Sequence, residues 1–366
     1  MADLRKKLVS AARRVVVKIG SRTLASDPAV YDRIAASIGE REVCVVSSGA
    51  IALGLSVLGL RARPREMAKL QAAAAAGQSR LMRRYEEAFE RHGRRVAQVL
   101  LTHADLSDRA RANNARDAVE ALLEADVVPI INENDTVAVE EIRFGDNDQL
   151  AALVTPLVGA DLLVLLSDVE GLLDAKGERV PVVRDVAREA VPLVDRAPLE
   201  GKREAVGRGG MASKLEAARR GTLAGATVVI ADARGPSTLA DLFAGRDVGT
   251  LFLPHENKLG ARKHWILFTL RPRGAIIVDR GAAEALEARG GSLLPVGVVG
   301  VRGGFGAGDA VHIVDGDGRE VARGLSSLAA IDVARVAGKR GEELAAMIGR
   351  GPNEVVHRDD MVVLGR

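Results

Sequence analysis

Short apolar runs alternate with longer helical patterns over the first two thirds of the chain. The runs cover residues 15–19, 43–46, 96–101, 127–131, 162–166 and 227–230, and helical patterns lie between them at 67–91, 113–124, 148–158 and 211–224. Runs this short and this apolar are typical of strands buried on both faces. The alternation predicts an α/β domain with a mostly parallel sheet, whose ligands bind beyond the carboxyl ends of the strands.

The pattern changes after about residue 253. Residues 255–273 are polar and basic, and from residue 274 onward short strand-like runs with frequent glycine follow, with one helical pattern at 282–289. We therefore predict a large domain over residues 1–256, a linker over 257–273 and a small β-rich domain over 274–366.

The amino-acid composition excludes several classes of protein and of metal site. The chain has 366 residues, 47% of them hydrophobic, and a formal net charge of +3, which gives no global argument for nucleic acid or for an acidic membrane surface. Cys44 is the only cysteine, so an intrachain disulfide and a thiolate metal cluster are excluded. We found neither a transmembrane pattern nor a signal-peptide pattern, and we expect a reducing, cytoplasmic setting.

Two predicted strands end in loops that suit anions. Lys18 lies near the end of the first strand and is followed by Gly20 and Ser21, which offer a positive charge and exposed backbone N–H groups to a phosphate. Ser48 and Gly49 open a helix, whose first N–H groups are unpaired and attract anions. A strand-end lysine with its ammonium in water and a simple serine N-cap would explain the same residues without a ligand.

Carboxylates and carboxamides crowd residues 132–148. The chain has seven asparagines, and three of them, Asn132, Asn134 and Asn147, fall in this window together with Asp135 and Asp148. Carboxamides both donate and accept hydrogen bonds, and carboxylates accept them, which suits the ammonium and carboxylate of an amino acid. A solvated turn rich in Asn and Asp is the alternative interpretation.

A glycine-rich segment, residues 207–214, leads into the helical pattern at 211–224. Glycine permits a close approach of the backbone to phosphate oxygens, and the helix start adds its dipole. The segment ends in Lys214, one of only ten lysines among 52 basic residues. It is not a Walker A motif, because glycine, lysine and serine or threonine do not follow one another directly. Histidine is too scarce for a zinc site.

These motifs occur in a characteristic order. The chain resembles the glutamate 5-kinases of the amino acid kinase family, with a C-terminal PUA domain, over nearly its whole length. The motifs that carry the resemblance are Lys18-Ile19-Gly20-Ser21, Ser48-Gly49-Ala50-Ile51, Gly77-Gln78-Ser79-Arg80-Leu81, Asn114-Ala115-Arg116-Asp117, Ile131-Asn132-Glu133-Asn134-Asp135, Gly145-Asp146-Asn147-Asp148 and Gly209-Gly210-Met211. The resemblance implies an α/β, three-layer amino acid kinase fold with a mostly parallel central sheet, plus a small β-rich PUA domain.

The resemblance also implies roles for individual residues. The catalytic positions are Lys18, Lys214 and Asp148. The glutamate contacts are Ser48, Asp135 and Asn147. The nucleotide contacts are Lys18, Ser167, Asp168, Arg208, Gly209, Gly210, Met211, Ala212, Ser213 and Lys214. The family often carries threonine where this chain has Arg208, so a hydroxyl contact to the nucleotide is in doubt there. No residue is assigned as a metal ligand.

The activity that the resemblance implies is the ATP-dependent and Mg²⁺-dependent phosphorylation of the γ-carboxylate of L-glutamate, the first step of proline biosynthesis. It further implies feedback inhibition by proline, glutamate-5-semialdehyde dehydrogenase as a functional partner, and assembly into a homo-oligomer. RNA binding is not expected, because Phe305 is the only aromatic residue after residue 273.

Two alternatives stay open on sequence grounds. One keeps the fold and changes the substrate to N-acetylglutamate, aspartate or carbamate, although the pair Asp135 and Asn147 favours free glutamate over an acetylated amine. The other is an RNA-associated PUA protein with an inert kinase domain, against which the retention of Lys18 and Lys214 in a lysine-poor chain argues.

Overall fold

The structure, a computed structural model, describes residues 2–138, 147–195, 210–340, 343 and 353–364. The chain divides into two compact units, Met1–Lys258 and Leu259–Arg366. The sequence pattern predicts the change from one domain to the other in the same region.

Eight of the described strands form one sheet in the first unit. They are β1 Arg14–Ile19, β2 Glu42–Ser47, β3 Arg95–Leu101, β4 Val127–Glu133, β5 Leu162–Ser167, β6 Val182–Val183, β7 Thr227–Asp232 and β8 Thr250–Phe252. Their order across the sheet is β3-β4-β2-β1-β5-β7-β8-β6. Neighbouring strands are parallel except β7 and β8, which are antiparallel. The predicted α/β class with a mostly parallel sheet is confirmed.

Helices connect these strands. Those that the structure describes in the first unit are α1 Ala2–Arg5, α2 Ser21–Ser26, α3 Val30–Ser37, α4 Ala50–Val57, α5 Met67–Glu90, α6 His103–Ser107, α7 Arg109–Glu124, α8 Asn147–Leu157, α9 Val191–Asp195, α10 Met211–Leu223 and α11 Thr238–Phe243. Two π-helical turns adjoin these helices: Lys6–Ser10 follows α1, and Val186–Ala190 precedes α9. None of the described helices is both long and apolar enough to span a bilayer.

The alternation of side chains along β1 separates the two faces of the sheet. Val15 and Val17 share a core cluster with Ile34 of α3 and Leu81 of α5. Because successive residues of a strand point to opposite faces, Lys18 lies on the other face. That face is covered by α8 and α10, and Gly221 of α10 lies against the strand side chains there. The sheet is thus the middle of three layers.

Two glycines set the spacing between α4 and α5. A Cβ atom on Gly54 would lie 1.7 Å from the carbonyl oxygen of Ala73, and one on Gly77 would lie 1.8 Å from the carbonyl oxygen of Ala50. Any larger side chain would push the two helices apart. Gly49, just before α4, has a φ of 104°, a conformation that glycine adopts without strain. This packing holds the turn after β2 in place.

The second unit contains a five-stranded sheet. Its strands are β9 Gly274–Val278, β10 Val298–Gly303, β11 Ala310–Val314, β12 Glu320–Leu325 and β13 Met361–Val363, in the order β10-β9-β11-β12-β13. The described helices are α12 Ala261–Phe268, α13 Arg280–Arg289 and α14 Ala330–Val336, with 3₁₀ turns at Pro295–Gly297 and Arg358–Asp360. The predicted small β-rich domain is confirmed as a separate β-rich unit.

Helix α12 falls inside the segment 257–273 that the sequence predicts to be a linker. Its side chains Ile266, Leu267 and Phe268 are buried, and the Arg323 guanidinium of β12 donates a hydrogen bond of 2.7 Å to the Leu267 carbonyl. The basic residues around this short apolar stretch conceal the helix in the sequence pattern. Most of the predicted linker is therefore ordered as part of the second unit.

Candidate active site

A buried aspartate holds two lysines together beside the sheet. The Lys18 ammonium lies 2.5 Å from Oδ1 of Asp148, and the Lys214 ammonium lies 3.1 Å from Oδ2. The Asp148 side chain is fully buried, and the two lysines are nearly so. The structure therefore brings together all three residues that the resemblance implies to be catalytic.

The charges of this cluster depend on one another. Burial by itself raises the pKa of the Asp148 carboxyl, but the Lys18 and Lys214 ammonium groups lower it by more, so this pKa lies below its usual range. The carboxylate is therefore ionised at neutral pH. Two ammonium groups around one carboxylate carry a net positive charge, which a buried site can use to attract phosphate oxygens.

Three elements position the cluster. Lys18 lies on β1, a central strand of the sheet, whereas Asp148 and Lys214 lie in the first turns of α8 and α10. The Gln149 amide donates a hydrogen bond of 3.0 Å to the Ser213 carbonyl and so links those two first turns. The first N–H groups of both helices have no partner within the helix and carry the positive end of its dipole. Anions are favoured at this point.

A second cluster surrounds the Asn147 carboxamide. Its Nδ2 donates to the Ser47 carbonyl at 2.6 Å, to the Ser48 hydroxyl at 2.9 Å and to Oδ1 of Asn132 at 3.1 Å. The Tyr85 hydroxyl donates to the Ser47 hydroxyl at 2.9 Å and supports the end of β2 from α5. Ser48 and Asn147, two of the predicted glutamate contacts, are thus hydrogen-bonded to each other.

Asp135, the third predicted glutamate contact, lies just after β4 and is half-buried. Burial raises the pKa of its carboxyl to about 6, although the positive charge of Arg63 acts in the opposite direction. A carboxylate that has lost part of its hydration gains more from an incoming ammonium group than a fully solvated one does. The residue is therefore well suited to bind the amino group of a substrate.

Two of the predicted nucleotide contacts, Ser167 and Asp168, lie at the end of β5 and directly after it. The buried Ser167 hydroxyl at the end of β5 donates to Oδ1 of Asp168 at 3.1 Å, and Arg22 pairs with Oδ2 of Asp168 at 2.7 Å. Burial raises the pKa of the Asp168 carboxyl, but the Ser167 hydrogen bond and the charges of Arg22 and Lys214 bring it below its usual range.

The remaining predicted nucleotide contacts lie at the start of α10. Met211, Ala212 and Ser213 lie in its first turn, and Gly210 precedes it with no described atom within 4 Å of a Cβ placed there. Arg208 and Gly209 lie outside the described residues, as do Gly145 and Asp146 of the family motif.

Sequence reasoning missed several residues that contact this site. Gln78 and Tyr85 of α5, together with Ser47 and Gln149, bond directly to residues of the two clusters. One signal was present: Gln78 and Tyr85 are seven residues apart, and this spacing places both side chains on one face of a helix. Only the strand order shows that this face meets the ends of β2 and β4.

Family models and known proteins match this chain over most of its length. The model of the amino acid kinase family matches residues 13–232, and that of the PUA domain matches residues 274–348. A glutamate 5-kinase from Geobacter sulfurreducens is 47% identical over 378 residues, covering 99% of this chain and 100% of the relative. Another, from Myxococcus xanthus, is 48% identical over 370 residues, covering 96% of this chain and 97% of the relative.

The chain belongs to the glutamate 5-kinases of the amino acid kinase family. The resemblance based on short motifs is thereby confirmed, and with it the kinase class of enzyme and the use of ATP. Among solved structures, N-acetylglutamate synthase from Neisseria gonorrhoeae complexed with coenzyme A and N-acetyl-glutamate aligns with a TM-score of 0.48 at 16% identity. That alignment covers 69% of this chain and 61% of the synthase.

Proposed function

We propose that this member of the family transfers the γ-phosphoryl group of ATP to the γ-carboxylate of L-glutamate, forming L-glutamyl 5-phosphate and ADP. The observation that carries the proposal is the buried cluster in which Asp148 holds Lys18 and Lys214. The group that attacks and the group that leaves are both anionic, so the reaction needs positive charge at a fixed place more than it needs a base.

The bond changes fit the side chains of the cluster. An oxygen of the γ-carboxylate forms a bond to the γ-phosphorus, and the bond from that phosphorus to the β–γ bridging oxygen breaks. The electron pair of the broken bond stays with ADP, and no proton is transferred, because a carboxylate is already deprotonated at pH 7. Lys18 and Lys214 stabilise the negative charge on the transferring group and on ADP, and Asp148 holds both ammonium groups in position.

The second cluster provides the glutamate site. Ser48 offers a hydroxyl to a carboxylate of the substrate. Asn147, whose NH₂ group is already hydrogen-bonded, offers its carboxamide oxygen to the substrate ammonium group, with which Asp135 also pairs. An acetylated amino group has no positive charge, so Asp135 favours free glutamate over N-acetylglutamate. The glutamate 5-kinase relatives, which match nearly the full length of the chain, support the same choice.

Magnesium enters this proposal with the nucleotide. Among the described residues no group of three or more His, Cys, Asp or Glu side chains is placed to hold a metal ion. Both oxygens of Asp148 face ammonium groups, so this carboxylate is not a suitable metal ligand. A bound Mg²⁺ would be held chiefly by phosphate oxygens and would neutralise part of their charge.

The wider role follows from the product. An acyl phosphate is labile, so we propose that a reductase of the glutamate-5-semialdehyde dehydrogenase type consumes it on the route to proline. Proline as a feedback inhibitor, assembly into a homo-oligomer and a cytoplasmic location belong to the same proposal.

Hydroxylamine, which converts acyl phosphates into hydroxamates, provides the test. The chain is incubated with ATP and Mg²⁺ and with L-glutamate, N-acetylglutamate or L-aspartate in parallel. We expect hydroxamate from L-glutamate, and a Lys214→Met variant to lose on the order of 10²–10³ in rate. Lys69→Met is the matched control, because Lys69 is exposed and pairs only at the surface with Glu66. Absence of product from folded wild-type chain, or preference for another acid, would refute the proposal.

A further inference from the structure

Gln78 belongs to a family motif, residues 77–81, to which the roles above assign no function. Its side chain lies within a row of four carboxamides that joins two strands, β3 and β4, and two helices, α5 and α8. In this row Asn147 donates to Asn132 at 3.1 Å, Asn132 donates to Gln78 at 3.0 Å, and Gln78 donates to Gln98 at 2.9 Å.

The direction of this row is determined at the Asn147 end. The Asn147 amide nitrogen faces the Ser47 carbonyl, which accepts only, so the amide cannot be turned round without placing two oxygens against each other. Asn132 must then present its oxygen to Asn147 and its nitrogen to Gln78. For the same reason Gln78 presents its oxygen to Asn132 and its nitrogen to Gln98. Each amide thus constrains the next.

The burial of the four amides shows which hydrogen bond of the row water cannot replace. Asn147 and Asn132 are 7% and 2% exposed, Gln78 is half-buried, and Gln98 lies exposed on β3 at the edge of the sheet. Water can replace the Gln98 oxygen at the surface, whereas the buried Asn132 amide depends on the Gln78 oxygen. Gln78 therefore holds the Asn132 amide in place, and Gln98 contributes only weakly.

We propose that Gln78 is a positioning residue for glutamate, which holds Asn132 in place and so preserves one hydrogen bond of the Asn147 carboxamide that binds the substrate. The inference rests on the proposed function. Without an acceptor at position 78, the buried NH₂ group of Asn132 loses its partner. The Asn132 side chain then shifts towards another acceptor, and its oxygen moves away from the Asn147 amide. The lysine cluster makes none of the hydrogen bonds of this row, so the contribution of Gln78 concerns glutamate and not the nucleotide.

Three variants separate this role from simple packing. Gln78→Met keeps the length of the side chain and its helix propensity but removes the acceptor. Gln98→Met is the matched control, with the same chemical change one link further along and open to water. Gln78→Glu restores an oxygen that accepts from Asn132. The KM values for glutamate and for ATP, kcat and the melting temperature are measured for each variant with the hydroxamate assay.

We expect Gln78→Met to raise the KM for glutamate about tenfold with little change in the KM for ATP, the cost of losing one buried acceptor. Gln98→Met should stay near wild type, and Gln78→Glu should recover much of the lost affinity. An unchanged KM for glutamate in Gln78→Met, or a rise in the KM for ATP to the same extent, would overturn the inference. So would Gln78→Glu behaving no better than Gln78→Met.

A spectroscopic measurement makes the test independent of turnover. Selective ¹⁵N labelling of asparagine yields seven side-chain NH₂ signals, one for each asparagine. The signals of Asn132 and Asn147 should shift in Gln78→Met and stay in place in Gln98→Met. Unshifted signals in Gln78→Met would contradict the orienting role even if KM changed. Shifted signals in a chain that makes no hydroxamate from glutamate would instead show that the proposed function has failed.

Discussion

The Asp148→Asn substitution tests the central electrostatic claim most directly. It keeps the size of the side chain and removes its charge, so that Lys18 and Lys214 lose their shared carboxylate partner. Asparagine can still accept one hydrogen bond through its oxygen, but its NH₂ group faces the other ammonium unfavourably. The two lysines then lack the negative charge that they share in a site where all three side chains are buried.

The magnitude follows from that burial. Removing one partner of a buried ion pair costs about 3–5 kcal/mol, which corresponds to roughly 6–20 °C in melting temperature for a domain of this size. The loss of stabilisation of the transferring phosphoryl group lowers kcat by on the order of 10²–10³. ATP should restore stability to the variant more than to the wild type, because phosphate oxygens then replace the missing carboxylate as partners of the ammonium groups.

The measurement is a thermal melt with and without ATP, combined with the hydroxamate assay. Asp32→Asn is the matched control, because Asp32 also accepts from two basic side chains, Arg91 and His92, but at the surface, where such contacts contribute about 0–1 kcal/mol. If Asp148→Asn melted and reacted like the control, the two lysines would not depend on this carboxylate, and the electrostatic account of the site would be wrong.

Three further outcomes are expected. Burial raises the pKa of Asp135 to about 6, and only its carboxylate form binds an ammonium group, so the KM for glutamate should rise by up to about tenfold per pH unit below 6. Asp135→Asn should abolish this dependence, and a KM that does not change with pH in the wild type would exclude the pairing. Gly77→Ala should lower the melting temperature by several degrees, since its Cβ would lie 1.8 Å from the Ala50 carbonyl oxygen. Gly316→Ala, where no described atom lies within 4 Å of the new Cβ, should leave it unchanged, and equal melting temperatures of the two variants would contradict the helix contact. Burial raises the pKa of the Cys44 thiol to about 12, so a thiol reagent at pH 8 should label it only in denaturant. Rapid labelling of the native chain would show that β2 opens.

The polar residues at the strand ends can be predicted from sequence because each lies next to the apolar run that marks its strand. Short apolar runs mark the buried strands, and Lys18, Ser48 and Asp135 were selected as loop or strand-end residues with polar chemistry. The rule that ligands bind beyond the carboxyl ends of parallel strands then predicted one shared site. The structure brings Lys18, Asp148 and Lys214 into contact, although these residues are far apart along the chain.

Three features follow from the order of residues alone: the alternation of strand and helix, the change to a β-rich unit near residue 274, and the polar side chains at the strand ends. The fold was needed to show that one buried carboxylate holds both lysines, that Gln78 accepts a hydrogen bond from the buried Asn132 amide, and that residues 261–268 form a helix. The physical reason is that apolar periodicity reports the burial of each segment by itself. Which segments become neighbours depends on the strand order β4-β2-β1-β5 and on the packing of α5, α8 and α10, to which distant parts of the chain contribute together.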